Sequence, residues 1–155
     1  MVNIGNGLPY VPVGFRLDGS IQEGDVVWYP QDAVNIVQGQ AIFNNGGYAT
    51  NVGTQFAVTF LGVALFTQVN AVQGSVQIGV IKPNPAKFFW VPVGSATLIA
   101  VANLGVSYDL KTNQSIDLAD TTNSFWLCEV IDYDASTLAV AANAAGFAKV
   151  RFVHQ

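Results

Sequence analysis

The sequence predicts an all-β domain, a β-barrel or β-sandwich with an extended N-terminal arm and at most one short helix. Three observations predict it. Stretches rich in Val, Ile, Phe, Tyr and Trp recur, several with period-two alternation, as in 75–81 (SVQIGVI) and 149–153 (KVRFV). Gly, Asn, Asp and Pro clusters separate them every 8–12 residues or so, the spacing of sandwiches and barrels. The chain has 155 residues, 51% of them hydrophobic, which is one domain with enough apolar material for an ordinary core.

The elements follow in order. Residues 1–24 carry Gly5, Gly7, Pro9, Pro12, Gly14, Gly19 and Gly24 and read as an extended arm; residues 25–155 read as a single β domain. The arm is also apolar, so it needs a surface to lie on, its own domain or a neighbouring subunit. Tyr10, Val11, Phe15 and Leu17 are its candidate interface residues. Val26-Val27-Trp28-Tyr29 is β-branched and aromatic and stops at Pro30. Gln40-Ala41-Ile42-Phe43 stops at Asn44-Asn45-Gly46-Gly47, a hairpin signal. Residues 56–66 are long enough for a helix, but their β-branched and aromatic content favours a strand bent at Gly62. Residues 87–93 (KFFWVPV) predict a strand placed at a sheet edge by Pro92. Residues 97–103 are apolar and end before Gly105; 106–110 alternate; 125–132 form a strand, with a turn at Asp132-Tyr133-Asp134. The one helix-like stretch is the Ala-rich 137–148, which Ser136 could cap, although Asn143 and Gly146 make a strand or loop equally credible.

An internal echo runs along the chain. Gly39-Gln40-Ala41-Ile42 leads to Phe60-Leu61-Gly62-Val63-Ala64, and Gly105-Val106-Ser107-Tyr108 leads to Trp126-Leu127-Cys128-Glu129-Val130. Both offsets are 66 residues (105 − 39 and 126 − 60). This predicts two similar β motifs packed together rather than a solenoid, which needs three or more units.

Composition restricts function. Only 10% of residues are charged, against about 25% in a typical domain. The surface must therefore be built from Asn, Gln, Ser, Thr and backbone, or be partly covered by a partner. The six basic residues are scattered and the net charge is −4, which argues against nucleic acid and against an anionic membrane surface. No apolar run reaches the ~18 residues of a membrane span, and the N-terminus lacks a signal-type pattern. The expectation is a protein made and kept in a cytoplasm, or assembled there into something larger.

Chemistry is sparse. Cys128 is the only cysteine and sits in an apolar run, where a buried small hydrophobe is expected. His154 is the only histidine and is next to last, a poor place for a general base. That leaves no Ser-His or Cys-His mechanism and no ordinary zinc site. Asp132 and Asp134 could share a strand face and hold a cation, but turn bonding is the simpler role. Trp28, Trp90 and Trp126 could stack a sugar, but each lies in an apolar run suited to a core or interface. No catalytic, cofactor-binding or metal-binding residue is nominated, and the expectation is a protein that is not an enzyme.

Val37-Gln38-Gly39-Gln40-Ala41-Ile42, then Phe60-Leu61-Gly62-Val63-Ala64, then a Phe-rich strand, then Leu104-Gly105-Val106-Ser107-Tyr108-Asp109 resembles the small decoration, or head cement, proteins of tailed-bacteriophage capsids. The likeness covers about residues 33–153 and omits the arm. It implies a β-barrel or β-tulip-like module bound to the outer capsid surface at junctions between capsomers. It further implies a homo-oligomer, often a trimer, with the major capsid protein or another virion protein as partner and no catalytic residues. The alternatives are another virion part (head fibre, collar or tail component), a carbohydrate-binding module using the tryptophans, and an enzyme built on an acidic pair such as Asp132 and Asp134.

Overall fold

The computed structural model describes residues 14–53, 59–121, 126–135 and 145–154. Among them the chain is all-β, and two five-stranded antiparallel sheets and one two-stranded ribbon carry the fold. The strands are β1 (Arg16–Asp18), β2 (Val26–Pro30), β3 (Ala41–Asn45), β4 (Tyr48–Thr50), β5 (Phe60–Ala64), β6 (Gln77–Ile81), β7 (Phe88–Pro92), β8 (Ser107–Tyr108), β9 (Leu110–Thr112), β10 (Ser115–Ile116), β11 (Trp126–Asp134) and β12 (Phe147–His154). One 3-10 turn, Val101–Asn103, is the single helical piece among the described residues.

One sheet has the order β2-β6-β5-β3-β4 and the other β1-β7-β12-β11-β8; β9 and β10 form the ribbon. Neither sheet closes into a barrel. The sheets pack through their facing side chains. Ala41, Phe43, Phe60, Val63 and Ile81 from one meet Phe89, Val91, Cys128, Val130, Val150 and Phe152 from the other. Phe152 sits at the centre, with ring centroids 5.1 Å from Phe60, 5.2 Å from Phe89 and 5.4 Å from Phe15. A second, smaller core of Ile36, Ile42, Ala49, Ala64, Ile78 and Val80 lies on the other side of the first sheet. The edges of that sheet draw together there, because Gln31, one residue past β2, bridges Ala49 of β4.

Local chemistry explains the corners. Asn45 pairs with Tyr48, and Gly46 and Gly47 make the two-residue loop between them with φ of +59° and +97°, as a type I′ hairpin requires. Gly62, at φ +136°, lies at the register shift between β5 and β3, and a Cβ there would run into the Ile81 carbonyl oxygen. The bend expected at Gly62 is thus a close backbone approach.

The 66-residue echo is a structural repeat. Gly39 N–H donates to Ala64 O at 3.1 Å, and Gly105 N–H to Val130 O at 2.8 Å. Ala64 N–H donates to Gln40 O at 2.9 Å, and Val130 N–H to Val106 O at 3.0 Å. Each partner is displaced by 66 positions. Strand order repeats too: β2-β6-β5-β3 is matched by β7-β12-β11-β8, and β4 by β10. Gln31 bridges Ala49 in parallel as Val93 bridges Ile116. The two units, residues 26–81 and 88–154, differ where Asp109 divides the counterpart of β3 into β8 and β9.

Two expectations need correction, and two others gain detail. Pro92 does not mark an edge strand: β7 lies between β1 and β12. Its missing N–H costs nothing because β1 pairs only with Phe88, Phe89 and Trp90 and ends before Pro92. Asp132-Tyr133-Asp134 is not a turn but the end of β11, paired with Lys149, Ala148 and Phe147 across a bulge after Val130. Of the Ala-rich stretch, for which helix, strand and loop were all open, Phe147 and Ala148 are strand and belong to β12, where Ala148 packs in the core; residues 137–144 lie outside the described residues. The segment read as an arm holds a strand, β1, at the edge of the second sheet.

Candidate functional site

Of the four arm residues, Tyr10 and Val11 lie outside the described residues. Phe15 is 3% exposed and sits in the domain's own core, and Leu17 is half-buried against that core. Together with Arg16, Gly19 and Ile21 they form one wall of a cleft of about 640 Å³, whose other wall is Val37 to Gly39, Ala64, Leu65, Thr67 and Ile81.

Asp132 and Asp134 share the outer face of the second sheet, but the Asp132 carboxylate accepts from the Tyr133 N–H at 2.8 Å, and no group of three metal-ligating side chains converges among the described residues. Cys128 is fully buried; burial and then the nearby Asp109 push its thiol pKa well above the ordinary value. His154 is not on a free tail: it ends β12 opposite Trp126, its ring 4.9 Å away. The tryptophans form no common platform. Trp90 is buried, Trp126 packs on the core beside Phe60, and Trp28 on β2 is 54% exposed against Phe66.

The most organised surface lies where loops 31–37, 51–53 and 67–75 meet over the smaller core. Side-chain amides clamp it. Gln31, fully buried, donates from Nε2 to Val34 O at 2.8 Å and Gln68 O at 3.1 Å. Gln68 returns a bond to Gln31 Oε1 at 2.9 Å. Asn70 Nδ2 reaches the carbonyls of Gln31, Asp32 and Val72 at 3.1, 3.0 and 2.9 Å, and its backbone N–H donates to Asn35 Oδ1 at 3.2 Å. Asn51 Nδ2 donates to Asn35 O and to Gln40 Oε1, both at 2.9 Å. Asp32 accepts from the Ala33 N–H, then Asn45 and Gln73, and these donors lower its pKa. Buried amides with every bond made are rigid, so these loops are held by chemistry rather than by contact with sheet alone.

What the clamped loops present is aliphatic. Val52 is 71% exposed, Val69 73% and Val72 64%, with Val37 at 41%. Each valine adjoins a clamp: Val69 lies between Gln68 and Asn70, Val52 follows Asn51, Val72 caps the Asn70 amide, and the Val37 N–H donates to Gln40 Oε1. One charge, Asp32, sits among these loops, and the chain then runs on without another. Residues 33–81, forty-nine in a row, contain no Asp, Glu, Lys, Arg or His. This signal was open to sequence reading and was missed there, because the charges were weighed as a total and not by position. Apart from the Asp32 carboxylate, which Ala33, Asn45 and Gln73 engage, these loops carry no acidic, basic or histidine side chain. No model of a known protein family matches the chain, and no curated protein matches its sequence.

Proposed function

We propose that the protein is a structural component of a virus particle, a decoration protein that binds the outside of a tailed-phage head and stabilises it. One observation carries this reading: a preformed, amide-clamped loop surface that exposes valines and whose one charge, Asp32, is engaged by the Ala33 N–H, Asn45 and Gln73. Contact surfaces of lasting assemblies are depleted in charge and rigid before they bind, which limits the ordering cost. The likeness to head cement proteins supplies the partner, the major capsid protein or another virion protein. It also supplies a homo-oligomer, with a trimer favoured, and the virion as location after assembly in the host cytoplasm. No acid, base or nucleophile has a role in this function. The test is titration of the purified chain onto assembled heads. Saturable binding that raises the temperature at which heads rupture is expected. A chain with no affinity for heads overturns the reading.

A carbohydrate-binding function is favoured by a different observation. Trp28 is half-exposed, 5.9 Å from Phe66, and both converge with Leu65 over Gly79. Leu65 also lines the cleft. An exposed aromatic beside a groove is what sugar stacking needs. Tryptophan fluorescence that responds to a glycan in wild type and not in Trp28→Ala would support it; indifference to every glycan of an array would end it.

A further inference from the structure

The two units provide an internal control on charge. They share strand order, bridges and hydrogen bonds, so they meet the same folding requirements. Yet residues 88–154 contain nine charged side chains and residues 26–81 contain one, Asp32. Folding therefore does not ask for a charge-free unit. Exposure alone does not separate the units either, since the second exposes Leu98, Val101 and Leu104. Charge separates them. A unit that carries one charge where its twin carries nine is suited to burial against another surface.

We infer that the clamped loops of the first unit, carrying Val52, Val69 and Val72, are the contact between copies of this chain. The inference deepens the structural reading above and rests on it. Charge selects the occupant. All sixteen charges, and so the whole net charge of −4, lie outside residues 33–81. Two copies that meet through the first unit bring one charged side chain of that unit each, Asp32, where the second unit would bring nine, so like-charge repulsion between them is small, and it is screened over roughly 8 Å at physiological salt. A contact between identical copies needs no complementary charge to form. Charge depletion with higher apolar content is the mark of contacts between identical subunits.

The experiment is sedimentation equilibrium on the full chain at about 0.05 M and about 1 M salt, with Val69→Asp, Val52→Asp and, on the second unit, Val101→Asp. All three sites are exposed, and thermal unfolding checks that each variant folds. Self-association of wild type that is unchanged or tighter at high salt is expected. Val69→Asp and Val52→Asp should each weaken it tenfold or more, and Val101→Asp should leave it unchanged. A wild-type monomer at about 0.1 mM overturns the inference, as does dissociation by Val101→Asp with Val69→Asp silent. Head binding is measured on the same variants. A monomer that binds heads and loses them through Val69→Asp assigns this surface to the shell, which overturns the inference and leaves the proposed function standing. An oligomer assembled through these valines with no affinity for heads upholds the inference and overturns the proposed function.

Discussion

Gly62 is the residue whose replacement the fold tolerates least. At φ +136°, and with the Ile81 carbonyl oxygen where a Cβ would stand, Gly62→Ala combines backbone strain with a clash against main chain that cannot swing away. A loss of about 3 kcal/mol is expected in chemical denaturation, strain alone costing roughly 1–3. Trp90 predicts the opposite behaviour. Its Nε1 is buried and has no hydrogen-bond partner among the described residues. Trp90→Phe removes an unpaired donor whose burial costs about 1–3 kcal/mol, and this offsets the smaller ring. The variant should unfold within about 1 kcal/mol of wild type, on either side; a loss of 3 or more would mean the indole N–H has a partner in solution, such as water.

Acid sensitivity also belongs at the residue scale. Asp25 is held below its ordinary value of 3.8 by Lys87 at 2.9 Å and then by the Gln22 N–H. Asp32 is lowered first by the Ala33 N–H, and Asp117 first by the Ala119 N–H, with Ser95 and Lys111 adding to it. A carboxylate depressed on folding contributes stability above its unfolded pKa and loses it as pH falls through the folded one. Stability measured against pH should therefore be level above the ordinary carboxylate range and fall below 3.8. Continued rise on acidification would contradict these pairings.

At the scale of elements, β1 ties the N-terminal segment to the domain. It pairs with β7, and Lys149 of β12 reaches across to Asp18 at 2.8 Å. Phe15, just before it, packs on Phe89 and Phe152. Removing residues 1–24 therefore removes a core ring and an edge strand. A drop of about 3 kcal/mol or more is expected from the lost aromatic alone, so a truncated chain that loses subunits has lost fold as well as arm. The substitution Phe15→Ala, read by denaturant unfolding, separates these: the same drop should appear with the arm still present.

At the scale of the molecule, the packing of two sheets decides what is reactive. Cys128 lies between them and its thiol is pushed toward the neutral form. Native protein should resist a thiol reagent, with modification tracking global unfolding in denaturant. Labelling at the rate of a free thiol would mean that the sheets part readily.

The sequence by itself determined the all-β class, the strands read at 26–29, 40–43, 75–81 and 149–153, and the hairpin at Gly46-Gly47. It also determined the doubling of a motif at an offset of 66. Alternation, β-branched content and glycine placement are local properties, and local rules read them. Pro92 and the Asp132 to Asp134 segment were misjudged for one reason. A proline or an aspartate pair has a meaning that depends on which strands lie beside it, and pairing is long-range. The candidate surface was half legible. The run without charge stands in the sequence, but nothing local says that loops near 35, 51 and 70 meet, or that buried Gln31 and Asn70 hold them. Only the tertiary structure decided that, because an amide can clamp a loop only after two sheets have brought its carbonyl partners within 3 Å or so.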